Sequence, residues 1–296
     1  MKNKKTIIIL GPTATGKTKL AIDIANKCDG EIISADSRQV YKKLDIGSGK
    51  DLNDYKLSDK IIKYHLIDIV DTDFNYSVYN FQKDFIKSYN QIINNNKLPI
   101  ICGGTGLYIE SLLLDYNLSN SPPPDYKLRN LLQEKSFEEL LVYFEKNNSN
   151  SSNYINDTKN RLIRNIEKCL NNKNINLKSN NLPINNYIIY GIFNNREKVR
   201  EKITKRLEER LNSGLIEEVE SLLNEGVSHE RLYSLGLEYR FVSNYLQNIL
   251  TKEEMFQKLN TAIHRFSKKQ MTFFRRMEKR GLKIKWIKEN NINLIQ

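Results

Sequence analysis

The stretch Gly11–Thr18, GPTATGKT, restricts what this chain can fold into more than any other. The apolar run Ile7-Ile8-Ile9-Leu10 precedes it, and an amphipathic segment from Leu20 follows. Strand, glycine loop and helix in that order, with four residues between Gly11 and Gly16 and then Lys17-Thr18, match the phosphate-binding P-loop. The two glycines let the backbone curl so that successive N–H groups face one anion. The helix that begins there adds its partial positive end. Gly11, Pro12, Thr13, Ala14, Thr15, Gly16, Lys17 and Thr18 therefore read as one anion-binding unit, with Lys17 as the full charge and the Thr18 hydroxyl as a ligand for Mg²⁺. The motif alone leaves the anion unspecified.

A P-loop needs a parallel sheet behind it, and the chain supplies one. Short apolar strands are expected at Lys5–Leu10, Glu31–Ala35, Tyr64–Ile69, Leu98–Cys102 and Tyr187–Phe193, with helices between them at Lys17–Lys27, Val78–Asn94 and Leu107–Leu114. This alternation predicts an α/β fold, a P-loop NTPase-like parallel sheet with helices on both faces. Ligands of such sheets collect at the carboxyl ends of the strands. Three polar turns fall there: the P-loop, Asp36-Ser37-Arg38-Gln39, and Gly103-Gly104-Thr105-Gly106. Past residue 117 the pattern changes to a proline run, Pro122-Pro123-Pro124, helical segments at Asp125–Lys135, Phe137–Lys146 and Asp157–Leu170, and Asn/Ser-rich connectors. Residues 118–185 therefore read as a helical insertion in a catalytic core made of 1–117 and 186–296. Helices are further expected at Arg196–Asn212, Leu215–Asn224 and from Gly236. A last one is opened by the capping box of Thr251 and Glu254 and closed by Gly281, before a final strand at Leu282–Ile287.

Charge narrows the partners. The 296 residues carry 47 Lys and Arg against 35 Asp and Glu, a net +12. Ten of those cations lie between His264 and Lys288, Lys268 and Lys269 among them, against one acid, Glu278. Such clustering is the footprint of a phosphate-backbone partner. Phe256, Leu259, Ile263, Phe266, Phe274 and Met277 follow helical spacing and are expected in the core. Cys28, Cys102 and Cys169 are widely separated and form no metal or redox motif, and His65, His229 and His264 have no metal spacing. No apolar stretch approaches the ~20 residues that cross a bilayer. A soluble cytoplasmic protein without a membrane partner is expected.

Asp36 ends the second strand and is placed to act as a general base or to hold Mg²⁺ through water. Thr105 has the equivalent place after another strand. Arg161 and Arg164 share one helical face and read either as an RNA contact or as a solvated face.

The motifs in order are GPTATGKT, ISADSRQVYKKLDIGSGK, YHLIDIV, PIICGGTGLYIESLL, DTKNRLIRNIE and RFSKKQMTFFRRM. Over nearly the whole chain this series resembles the bacterial-type tRNA dimethylallyltransferases, the tRNA isopentenyltransferases. The resemblance implies transfer of a dimethylallyl group from dimethylallyl diphosphate to N6 of the adenine 3′ of the anticodon. It makes the P-loop a diphosphate cradle and gives Asp36 and Thr105 catalytic roles. It implies tRNA contacts at Asp36, Ser37, Arg38, Gln39 and Thr105, at Arg129, at Asn160, Arg161, Leu162, Ile163 and Arg164, and along the basic helix. Arg240 becomes a diphosphate contact, and the partner is the anticodon stem-loop, bound by a monomer. The sequence departs from the family at Asp51, where proline is frequent, and at Gly236–Arg240, GLEYR, where many members have a shorter G-Y-R. It also lacks the cysteine-rich finger of eukaryotic relatives. An adenylate isopentenyltransferase acting on free AMP, ADP or ATP is the alternative, though it has no need of the basic helix or the insertion. A nucleotide kinase would leave DSRQVY and GGTGLY unexplained.

Overall fold

The computed structural model describes residues 5–116, 118, 125–148, 158–170 and 182–288. Its centre is a six-stranded, all-parallel sheet of β1 (Thr6–Leu10), β2 (Gly30–Ser34), β3 (Tyr64–His65), β4 (Leu98–Gly103), β5 (Tyr187–Phe193) and β6 (Ile284–Lys288). The spatial order is β3-β2-β4-β1-β5-β6, so β1 lies between β4 and β5. Alternation along β1 divides its isoleucines between two cores. Ile8 and Leu10 face α2 (Val78–Asn94) and α3 (Gly106–Leu113) through Phe81, Phe85, Tyr108 and Ile109. Ile9 faces α1 (Lys17–Cys28) through Leu20, Ile24 and Ala25. Helices therefore cover both faces, as the sequence predicts.

The third strand is shorter than expected. Only Tyr64 and His65 pair with β2, because Leu66 (φ 63°) and Asp68 (φ 57°) turn left-handed and lift the chain out of the sheet. Asp68 then pairs with the buried ammonium of Lys50, which also holds Asp45. His65 is a structural histidine against Glu31, at 2.6 Å.

The chain divides into two compact units: Met1–Leu114 with Leu182–Gln296, and Asp115–Asn181. In the first, α7 (Arg196–Asn212), α8 (Leu215–Asn224), α9 (His229–Leu235), α10 (Leu237–Leu246) and α11 (Lys252–Lys279) bury a helical core around Leu207, Val219, Leu235, Val242 and Leu259. Gly214 (φ 101°) separates α7 from α8, and Gly281 (φ 94°) closes α11. The Thr251–Glu254 capping box opens α11. The second unit contains α4 (Tyr126–Gln133), α5 (Phe137–Asn147) and α6 (Lys159–Leu170) around Leu132, Leu140, Phe144, Leu162 and Ile166. The proline run and most of the Asn/Ser-rich tracts lie outside the described residues. Among the described residues no helix is long and apolar enough to cross a membrane.

Candidate active site

Because β2, β4 and β1 are adjacent, the three polar turns leave the sheet side by side. They are also bonded to each other. The Ser37 N–H donates to Thr105 Oγ1 at 3.1 Å, and the Thr105 N–H donates to the Ala35 carbonyl at 3.2 Å. A Cβ on Gly103 would stand 2.2 Å from the Ala35 oxygen, so glycine is required for that approach. Asp36 Oδ1 accepts the N–H of Arg38 at 2.8 Å and of Gln39 at 3.4 Å. These bonds fix the carboxylate in the lining of a cavity of about 370 Å³.

That cavity collects Lys17, Thr18, Asp36, Arg38 and Thr105 with Arg206, Arg210, Glu238 and Arg240. In the P-loop, Ala14 (φ 61°) and Gly16 (φ 78°) make the left-handed turns that curl the backbone. Lys17 Nζ donates to the Pro12 carbonyl at 2.7 Å. Loss of hydration in the cavity lowers its pKa to about 8, with Arg206 adding to the shift and Cys102 and Asp36 opposing it. Burial pushes the Cys102 thiol up to about 12, so it is a neutral wall and no nucleophile.

Several expected contacts need correction. Pro12 has no N–H to give an anion; its carbonyl instead holds Lys17 and the Thr15 hydroxyl. Thr15 is fully buried, and its hydroxyl is spent on the Pro12 carbonyl. The Thr13 N–H is taken by Gln270 Oε1 at 2.9 Å. Gln39 spends its side chain inside the protein, on Ser34 and on the Gly49 carbonyl. In the helical unit Leu162 and Ile163 are core residues, 0% and 1% exposed, so their side chains cannot touch RNA. The four-residue periodicity of α6 turns them inward with Ile166. Asn160 and Arg161 are exposed. Arg129 and Arg164 both pair with Glu167, which has no exposed surface. Burial alone would raise the Glu167 pKa, but these guanidiniums and the Asp125 N–H hold it below the ordinary value. Phe266, expected in the core, is 45% exposed.

Sequence reasoning missed a second basic element. Arg206 and Arg210 stand one turn apart on α7, a helix whose spacing assigns only its apolar positions. Both line the cavity, stacked over Gly49, where a Cβ would meet their Nη2 atoms at 2.5 and 1.8 Å. Arg206 pairs with Asp51 at 2.6 Å and Arg210 with Glu238 at 3.4 Å. Asp51 has φ 47°, a conformation closed to proline, so the departure from the family pattern comes with a different local backbone. Burial raises the Glu238 pKa and Arg210 partly offsets it. The Gly47–Gly49 wall is held by Glu218, which accepts the N–H groups of Asp45, Ile46 and Gly47 and the Tyr239 hydroxyl. The i,i+4 spacing of two arginines just before the Gly214 break was the signal available.

An α/β protein whose P-loop lysine and a fixed carboxylate line one cationic cavity is built to hold a phosphate or diphosphate group beside a proton acceptor. Residues 39–277 match the sequence model of the family described as IPP transferase, and residues 4–68 that described as isopentenyl transferase. The chain belongs to the IPP transferase family. It is 46% identical over 289 residues to tRNA dimethylallyltransferase 2 of Phocaeicola vulgatus, covering 97% of this chain and 93% of that protein. It is 44% identical over 301 residues to the protein of the same name from Bacteroides fragilis, covering 100% and 98%. Among solved structures it is similar to the full-length tRNA isopentenylpyrophosphate transferase of Bacillus halodurans. That match has a TM-score of 0.71 at 26% identity and covers 99% of this chain and 94% of the other.

Proposed function

We propose that this chain transfers the dimethylallyl group of dimethylallyl diphosphate to N6 of the adenine 3′-adjacent to the anticodon in tRNA, releasing diphosphate. The observation that carries the reading is the single cavity that joins the P-loop lysine to Asp36 and Thr105. The diphosphate lies in the P-loop cradle against Lys17, with Arg206 and Arg210 opposite and Arg240 at the rim. The C1–O bond of the donor breaks with its electron pair leaving on diphosphate, and these cations stabilise the charge as it develops. The lone pair of N6 forms the new C–N bond, and Asp36 accepts the N6 proton on the oxygen that its backbone bonds leave open. Thr105, anchored to the Ser37 amide, lines the acceptor side.

The donor set suits Mg²⁺: the Thr18 hydroxyl and the Asp36 carboxylate are hard oxygens in one cavity. Among the described residues no cluster of three metal-ligating side chains exists, so Thr18 and the phosphates would hold the ion between them. When bound it supplies further positive charge at the leaving group. The carboxylate and the cations of the cavity come from one chain, which supports a monomer as the working unit, and a tRNA acceptor is consistent with a reaction in the cytoplasm.

Labelled dimethylallyl diphosphate offered with an anticodon stem-loop and, separately, with AMP tests the reading. Label is expected on the stem-loop. Label on AMP with none on the stem-loop overturns it in favour of the free-nucleotide enzyme.

A further inference from the structure

A groove of about 650 Å³ runs between α10 and α11. It is continuous with the reaction cavity, since Leu237, Arg240 and Phe266 line both. Four cations, Arg240, Lys258, Arg265 and Lys269, face it, and no carboxylate does. Lys258 has Glu254 at 3.7 Å. Among the described residues, no acid pairs with Arg240, Arg265 or Lys269, and Arg240 lies instead over the Phe241 ring, at 4.9 Å. At the junction with the cavity stands Phe266. On α11 the core is made by Leu259, Ile263 and Phe274, all under a tenth exposed, whereas Phe266 keeps 45% of its surface open. An apolar ring held in water among cations matches what an unstacked base and its phosphate require.

We propose that this groove is a subsite for the nucleotide next to the reacting adenine: its base stacks on Phe266, and its phosphate lies between Arg265 and Lys269. The inference rests on the reading of the acceptor as RNA. An adenine can reach Asp36 only by leaving its stack, which strips one face of its neighbour. A stacking surface one nucleotide away replaces what the neighbour loses. The subsite takes a nucleobase of any identity, because every base presents a π-face.

Two measurements test it. First, 2-aminopurine is placed beside the reacting adenine, on the 5′ side and on the 3′ side in separate stem-loops. Its fluorescence is expected to be quenched on binding to the parent from one of the two positions, and not by Phe266→Ala. This readout needs no turnover, so it stands even if the proposed reaction fails. Second, in prenyl transfer, Phe266→Ala is expected to raise KM for the stem-loop roughly fivefold or more, the low end of one lost stack. Phe266→Trp is expected to retain the parental value. An abasic site at the quenched position gives the same rise, and combining it with Phe266→Ala adds nothing further. Quenching that survives Phe266→Ala overturns the subsite. So do effects of the abasic site and Phe266→Ala that multiply instead of merging. A parent that binds the stem-loop with quenching but transfers no label overturns the reaction while leaving the subsite intact.

Discussion

Two side chains of the cavity carry distinct predictions. Asp36→Asn keeps the oxygen that accepts the Arg38 N–H but cannot take a proton. Single-turnover transfer is expected to slow by roughly 10²–10⁴, with stem-loop affinity, measured by filter binding, within a few-fold of the parent. Lys17 has a pKa of about 8, below its ordinary 10.5, because the cavity desolvates it. A bound diphosphate favours the charged form. Affinity from this group is therefore fully present below about pH 8 and lost as pH rises through it. Titration calorimetry with inorganic diphosphate is expected to show Kd climbing by up to about tenfold per pH unit above that point, and Lys17→Met is expected to remove the break. That Lys17, Asp36 and Thr105 share one cavity was legible because each follows the end of a parallel strand. Arg206 and Arg210 were not, since α7 alternates acids and bases along its length and only the packing of Gly49 beneath them shows that they point inward. Phe266 was misread for a related reason. Its spacing from Ile263 fits the apolar stripe, but it lies at the edge of that stripe, where the groove begins.

Among elements, α11 does more than carry charge. Gln270, 8% exposed, donates to the Gly104 carbonyl at 3.0 Å and accepts the Thr13 N–H at 2.9 Å, so one side chain holds the P-loop and the GGTG turn at a fixed spacing. Gln270→Leu leaves both backbone groups unpaired. Urea unfolding is expected to show a loss of about 1–3 kcal/mol for each, and KM for dimethylallyl diphosphate is expected to rise more than KM for the stem-loop. The same helix is pinned near its end by Glu110 of α3, which has no exposed surface and meets Arg276 at 2.8 Å and Arg280 at 3.1 Å. Two cations of the basic run therefore serve the fold. The limits of α11 could be read from the Thr251–Glu254 capping box and from Gly281, because caps are local chemistry. The extent of β3 could not. Leu66 and Asp68 turn left-handed in a tertiary setting, with Asp68 drawn to Lys50, and an apolar pattern contains no sign of that.

At the scale of the whole molecule, the charge excess and the chain order matter most. Lys268 and Lys269 are exposed on α11, next to the groove. Replacing both with Gln is expected to reduce the slope of log K against log salt by about one per lysine. Replacing Arg276 and Arg280 is expected to show mainly as lost stability. The parallel α/β architecture was legible because alternating strands and helices allow few topologies. The neighbours of β1 were not, since strand order depends on contacts between distant segments. That order has a consequence for synthesis of the chain. β1 is the first strand made, yet one of its two edges is closed only by β5, from Tyr187 onward. At roughly 5–20 residues per second, the ribosome leaves Thr6–Leu10 with that edge open for on the order of ten seconds or more. All of the helical unit emerges in that interval. The phosphate cradle is thus encoded first and finished late, and a nascent chain halted before Tyr187 has its P-loop sequence without the strand that holds Gly11 in place.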